Sequence, residues 1–243
     1  MSGESAQPSE ELARADRDLE EFVSAVAHDL RSPLFAISGF SQMLLEEYRD
    51  RLEPNARQYL THIQDAVTRM GRLVENLLIY SRVGLSQEPF QAVRLDDVLS
   101  EVRKSLDKTI RENQAEVLGE GLPCLRGSRT LLVQLFQNLV GNAIKFRREV
   151  PPVVTLCARP EGGVWCVSVA DNGIGIEARH FEKLFQFQRV RGGSEGSGAG
   201  IGLAISRKIV QRHGGRIWVE SEVGRGTTFI LTLPAMETSR EGS

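Results

Sequence analysis

Asp171-Asn172-Gly173-Ile174-Gly175 sets a carboxylate and two glycines where an apolar run, 164–170, stops. A carboxylate at a strand end can accept a hydrogen bond from an adenine amino group. Glycines let a nucleotide approach the backbone without meeting a Cβ. The same letters are also ordinary turn chemistry, so the motif needs neighbours. Asn138 and Asn142 are four apart, hence on one helix face, with Lys145 a turn further. An amide carbonyl suits Mg2+, which takes oxygen ligands and keeps waters and nucleotide phosphates in its shell. Lys145 can meet phosphate charge, although a solvated helix face would carry the same three residues. Finally, GSGAGIG at 196–202 precedes an apolar-periodic helix. Exposed backbone N–H groups there would form an anion site for phosphates, with a flexible linker as the plain alternative.

The elements that must position these groups differ between the two parts of the chain. Residues 1–8 are small and polar and should fray; Ser9, followed by Glu10 and Glu11, is a helix start. Apolar residues recur at Leu12, Ala15, Leu19, Phe22, Val26 and Leu30, and resume after Pro33 at Phe35, Ile37, Phe40, Leu44 and Leu45. That spacing predicts a long helix kinked at the proline, with Val26 and Leu30 in its buried seam. YRDRLEPN at 48–55 is a turn, and Ile63, Met70 and Leu77, seven apart, mark a second helix. Two helices cannot enclose a core alone, so a dimeric four-helix bundle over 9–83 is expected. A linker at 84–89 leads to a domain over 90–236: a strand at 90–94, helices at 95–113, 129–148 and 202–213, and strands at 115–118, 153–158, 164–170, 216–220 and 227–233. Residues 237–243 form a polar tail. The class is α+β, an α/β sandwich with a mixed sheet following the hairpin.

Composition narrows the function classes. The 243 residues are 41% hydrophobic and 26% charged, with 30 basic against 32 acidic residues. No basic excess exists to neutralise nucleic-acid phosphates. The longest tempting apolar stretch, 32–45, is too short to span a bilayer and contains Pro33 and Gly39. No basic, apolar leader opens the chain. Cys124, Cys157 and Cys166 lack C-x-x-C spacing and read as free thiols of a reducing cytosol, with zinc the lesser reading. A cytoplasmic location without membrane insertion is expected.

The order of the motifs resembles one family. NLVGNAIKF (138–146), DNGIGI (171–176), LFQFQRV (184–190), GAGIGLAI (198–205) and S-x-x-G-x-G-T-x-F (221–229) resemble the N, G1, F, G2 and G3 boxes of sensor histidine kinases. AHDLRSPL at 27–34 resembles their H box, and the wording is most similar to kinases attached to bacterial phytochromes. The resemblance implies an ATP-dependent protein histidine kinase that phosphorylates His28 and passes the phosphoryl group to an aspartate of a response-regulator receiver domain. It implies a homodimer, ATP and Mg2+ as cofactors, and a sensory domain or protein that supplies input.

Residue by residue, the resemblance makes His28 the phosphoacceptor and Asp29 the acid that orients it and takes its proton. Helical rotation agrees, because His28 points about 200° away from Val26 and Leu30. Ser32 stands where relatives that dephosphorylate their partner carry Thr or Asn, which admits a response-regulator phosphatase activity. Asn142 would bind Mg2+, and Asn138 would lie beside the triphosphate. Related ATPases have a water-activating glutamate at the Asn138 position; an amide cannot do that, which favours transfer over hydrolysis. Asp171 would read adenine, Gly173 and Gly175 would flank the base, and Gly198, Gly200, Gly202 and Thr227 would join the nucleotide site. One departure stands out: Phe185 and Phe187 have one residue between them where the family commonly has two. Two other classes remain, a degenerate dimerising scaffold and an ATPase or serine kinase of the same superfold.

Overall fold

The computed structural model describes residues 7–85, 88–186 and 201–235, with side chains from residue 23 onward except those of 84 and 85. The chain divides into two compact units, with the cut between Ser86 and Gln87.

The first unit is a helical hairpin of α1 (Gln7–Glu47) and α2 (Pro54–Leu85). Pro54 starts α2, where a missing N–H costs nothing. The helix begins two residues before the expected Ser9, and α2 takes in Gly84 and Leu85, the first residues of the expected linker. Pro33 lies inside α1, which runs on as one helix, so the proline removes a hydrogen bond without ending the element. The expected seam needs a correction. Ala27 is fully buried and packs with Val74, Leu78, Leu34 and Leu77, whereas Val26 and Leu30 are exposed. Leu30, Ile37 and Leu44 on α1 and Ile63 and Met70 on α2 each keep about two-fifths of their surface, from 42% to 45%. Their seven-residue spacing makes a second apolar stripe, about 60° round from the first. Phe35 and Phe40, expected among the apolar ladder, face outward at 81% and 67% exposure. The side chains of Leu12, Ala15, Leu19 and Phe22 lie outside the described residues.

The second unit sets helices on one face of a mixed sheet. Its elements are β1 (Gln91–Arg94), α3 (Leu95–Ser105), α4 (Asp107–Glu112), β2 (Glu116–Leu118), β3 (Cys124–Gly127), α5 (Arg129–Lys145), β4 (Val153–Glu161), β5 (Val164–Asp171), α6 (Phe181–Leu184), α7 (Gly202–Arg212), β6 (Ile217–Glu222) and β7 (Gly226–Pro234). The five-stranded sheet has the order β2-β4-β5-β7-β6; β2 runs parallel to β4 and the other neighbours are antiparallel. β1 pairs with β3 in a separate ribbon. β3, absent from the expected elements, is only four residues long and ends on glycine. The expected helix 95–113 is two helices, α3 and α4, which part at Leu106 (φ -98°, ψ 8°), and α5 ends three residues before the expected 148.

Strand parity builds the core and aims the site. Leu156, Val169, Phe229 and Val219 form one row across four strands, all buried under the helices. Asp171 is two residues beyond Val169, so its side chain emerges on the same helix-facing side at the end of β5. Above the sheet lies α5, with nine buried residues that include Leu132, Leu135, Phe136 and Leu139. A helix apolar over so much of its girth must sit between layers.

The start of α5 is pinned. Ser128 caps it, its Oγ accepting from the Leu131 N–H at 3.2 Å. The Ser128 Oγ–H donates to Glu88, and its backbone N–H donates to His213 Nε2 at 3.1 Å. Because Nε2 accepts, the ring proton sits on Nδ1, 2.8 Å from the Ile209 carbonyl it serves. Phe90 stacks on the same imidazole with centroids 4.6 Å apart. Burial pushes the His213 imidazole below the usual histidine range; the Ile209 carbonyl opposes this and Arg212 adds to it. A depressed folded-state value means that the unfolded chain takes the proton first. The stability His213 supports is complete above the ordinary value and is lost as pH falls through the folded one. Urea melts of the second unit should therefore weaken from about pH 7.5 to about pH 5, and His213→Leu should flatten that slope. An unchanged slope in the variant would remove His213 as its source.

Candidate functional site

Asp171 is half-buried, and its oxygens have different fates. Oδ1 accepts the N–H of Gly173 at 2.8 Å and that of Thr227 at 3.1 Å. Oδ2 has no intramolecular partner among the described residues. Burial pushes the carboxyl above its ordinary value, while the two amides pull it back. Such a group is an acceptor held in place by one oxygen and open through the other. Thr227, an expected member of the site, is thereby joined to Asp171 directly.

The glycines also have a packing reason. A Cβ on Gly173 would stand 2.6 Å from the Phe146 carbonyl oxygen, and one on Gly175 would stand 2.1 Å from that of Glu222. Gly175 also has a φ of +72°. Their bareness lets the 172–176 loop press against its own chain. The loop is sewn down further: Ile174 N–H donates to Phe146 O at 3.0 Å, Gly224 N–H to Ile174 O at 2.8 Å, and Ile176 N–H to Ser221 Oγ at 2.8 Å. Ser221 Oγ–H in turn donates to Gly226 O at 2.7 Å.

On α5, Asn138 and Asn142 are both half-buried on one face. Asn138 Nδ2 donates to the Gly202 carbonyl at 2.8 Å, which ties α5 to the first turn of α7 and leaves its Oδ1 as an acceptor. The Asn142 side chain has no intramolecular partner among the described residues. Lys145 ends the helix, exposed, with Nζ 5.0 Å from the centre of the Phe146 ring. Among the described residues no group of three or more His, Cys, Asp or Glu could hold a metal ion. A neutral amide as a single protein ligand fits a cation that arrives with nucleotide phosphates and water completing its shell. Gly198, Gly200, Phe187, Arg189 and the polar stretch 190–197 lie outside the described residues. Phe185 packs edge-on against Phe229, with ring centroids 6.2 Å apart.

On the hairpin, the His28 and Asp29 side chains are 80% and 87% exposed, with His28 Nδ1 3.7 Å from Asp29 Oδ1. That is longer than a direct hydrogen bond but puts Nδ1 on the acid's side and leaves Nε2 facing away. Ser32, also exposed, follows about 40° round the helix. Arg31 reaches across to Glu75 on α2 at 3.0 Å. The residues that sequence reasoning missed are Arg148, Asn172 and Ser221, all of which brace the Asp171 loop. Asn172 and Ser221 lie inside the motifs, which do not say which members are structural, and Arg148 lies outside them.

Comparison with known proteins follows this division. Residues 18–85 match the family described as His Kinase A (phospho-acceptor) domain. Residues 127–237 match the Histidine kinase-, DNA gyrase B-, and HSP90-like ATPase family. Cyanobacterial phytochrome A of Nostoc sp. is 38% identical over 242 residues, which is 99% of this chain and 32% of that protein. The methanogenesis regulatory histidine kinase FilI of Methanothrix harundinacea is 38% identical over 92% of this chain and 25% of its own length. Aerobic respiration control sensor protein ArcB of Escherichia coli is 32% identical over 95% and 30%. The chain thus spans a quarter to a third of these relatives. Full-length ShkA, solved in complex with AMPPNP, superposes with a TM-score of 0.66 at 26% identity, covering 88% of this chain and 45% of that one. The catalytic domain of histidine kinase ThkA gives 0.52 at 28% identity over 60% of this chain and 96% of that one. With a phospho-acceptor hairpin and a histidine-kinase-like ATPase domain in that order, this chain belongs to the sensor histidine kinases of two-component systems.

Proposed function

We propose that the chain binds ATP between α5 and the Asp171 loop, transfers its γ-phosphoryl group to His28, and then donates that group to an aspartate of a receiver domain. The observation that carries this reading is Asp171: a carboxylate with one oxygen fixed by two backbone amides and the other free. An adenine amino group donates to such an oxygen, whereas a guanine carbonyl at the same place would be repelled. Asn142 would hold Mg2+ and Asn138 would lie beside the triphosphate, with Gly173 and Gly175 flanking the base and Lys145, Gly198, Gly200 and Gly202 toward the phosphates. When bound, the cation supplies charge neutralisation for the phosphate oxygens. The imidazole attacks through Nε2; the N–P bond forms as the bond to the ADP oxygen breaks, and Asp29 takes the Nδ1 proton. The phosphoramidate then gives its phosphoryl group to a carboxylate as the N–P bond breaks, and return of the proton from Asp29 restores a neutral histidine.

Two further parts of the reading rest on the hairpin. The stripe of Leu30, Ile37, Leu44, Ile63 and Met70 is the face on which a second copy would pack to complete a four-helix bundle. Ser32, with its hydroxyl a turn from His28, could position a water for receiver dephosphorylation. Among the described residues no helix is long and apolar enough to cross a membrane; the proposed setting is the cytoplasm, with input from a sensory domain or protein.

Incubation with γ-labelled ATP and Mg2+ should give acid-labile label on His28. His28→Ala should abolish the label and leave ATP affinity within about twofold. Acid-stable label would point instead to a serine kinase of the same superfold, and no label to a scaffold. Asp171→Asn should weaken ATP binding by about 1.5–3 kcal/mol, the range for a hydrogen bond to a charged group; unaltered calorimetric affinity would take Asp171 out of the site. Ile37→Glu combined with Leu44→Glu should convert a sedimenting dimer to monomer, and a persisting dimer would move the interface elsewhere.

A further inference from the structure

Arg148 lies three residues past the end of α5, outside every motif discussed above, and its exposed side chain spans two other segments. Nε donates to the Asn172 carbonyl at 2.8 Å and Nη1 to the Gly224 carbonyl at 3.0 Å. Asn172 follows Asp171 directly, and Gly224 sits in the turn between β6 and β7. Asn172 is itself held by its side chain: Oδ1 accepts from the Val153 N–H at 2.9 Å, and Nδ2 donates to the Pro151 carbonyl at 3.1 Å. A single guanidinium therefore clamps the loop carrying Asp171 between the end of the asparagine helix and the hairpin that supplies the Thr227 N–H. Its planar fork suits this task, since two donors in fixed relation meet two fixed acceptors.

We infer that Arg148 is a positioning residue for adenine selectivity: it fixes the Asp171 loop against α5, so that the free carboxylate oxygen and the asparagine face keep one separation. This rests on the nucleotide reading proposed above. Arg148 acts on the base end of the site through backbone carbonyls and does not serve as a phosphate ligand. Its loss should loosen the 172–176 loop and leave the α5 face intact. Binding that depends on Asp171 would then suffer more than binding that does not.

Inosine triphosphate carries a carbonyl where ATP has the amino group, so the ratio of the two affinities isolates the Asp171 contact. In Arg148→Gln, ATP affinity should fall about tenfold and inosine triphosphate affinity change less than about twofold. Amide exchange at Gly173 and Ile174 in the nucleotide-free protein should quicken by about tenfold. Arg148→Lys keeps the charge without the fork and should behave like Arg148→Gln. Equal losses for both nucleotides, with Arg148→Lys restoring them, would make Arg148 a phosphate-attracting charge and overturn the inference. So would an unaltered ratio or unaltered exchange in either variant. A native chain that fails to prefer ATP would bring down the adenine reading of Asp171 itself, and the inference with it.

Discussion

The partial desolvation of one carboxylate governs the second unit. Asp171 is pushed toward its protonated form by burial, and a raised folded-state value means that its contribution to stability is greatest in acid and lost as pH rises through that value. Once ionised, the group carries a charge that burial disfavours. What keeps it tolerable is the pair of backbone amides at Oδ1. Those amides come from two different places, the loop after β5 and the start of β7. The carboxylate therefore works as a knot between strands as well as a proposed ligand for adenine, and much of the surrounding geometry follows from keeping that knot tight.

The glycines belong to the same constraint. Gly226, with φ +117°, brings its backbone so close to the Asp171 carbonyl that a Cβ would stand 1.9 Å from that oxygen. Gly173 and Gly175 do the same against Phe146 and Glu222. The loop around the carboxylate is thus a place where three backbones meet at van der Waals contact. Side chains are excluded there because hydrogen bonds must close over short distances. A motif with so many bare positions carries information about packing as much as about ligands.

Much of this was legible in the sequence. Asp171, Asn138 and Asn142 could be found because each lies at a fixed offset in a periodic element: strand parity turns Asp171 toward the helices, and a spacing of four aligns the asparagines. The hairpin's apolar spacing was legible too, but not its division into two stripes. A repeat of threes and fours does not say which apolar residues meet the sister helix and which stay open, and Ala27 was the buried one because a small side chain lets the helices approach. β3 and the break at Leu106 were missed because four residues and one dihedral leave little periodic trace. Arg148 and His213 were invisible for a different reason, since their partners are backbone groups far along the chain and no local pattern encodes them.

The sheet's two outer strands carry a last consequence. β2 has only three residues, and β6 presents Glu220 and Glu222 to solvent, Glu222 paired with Arg225 at 2.9 Å. A rim this brief on one side and this acidic on the other is a poor template for a neighbouring chain seeking strand partners. Copies meeting at these borders would find acidic side chains on one and little unpaired backbone on the other.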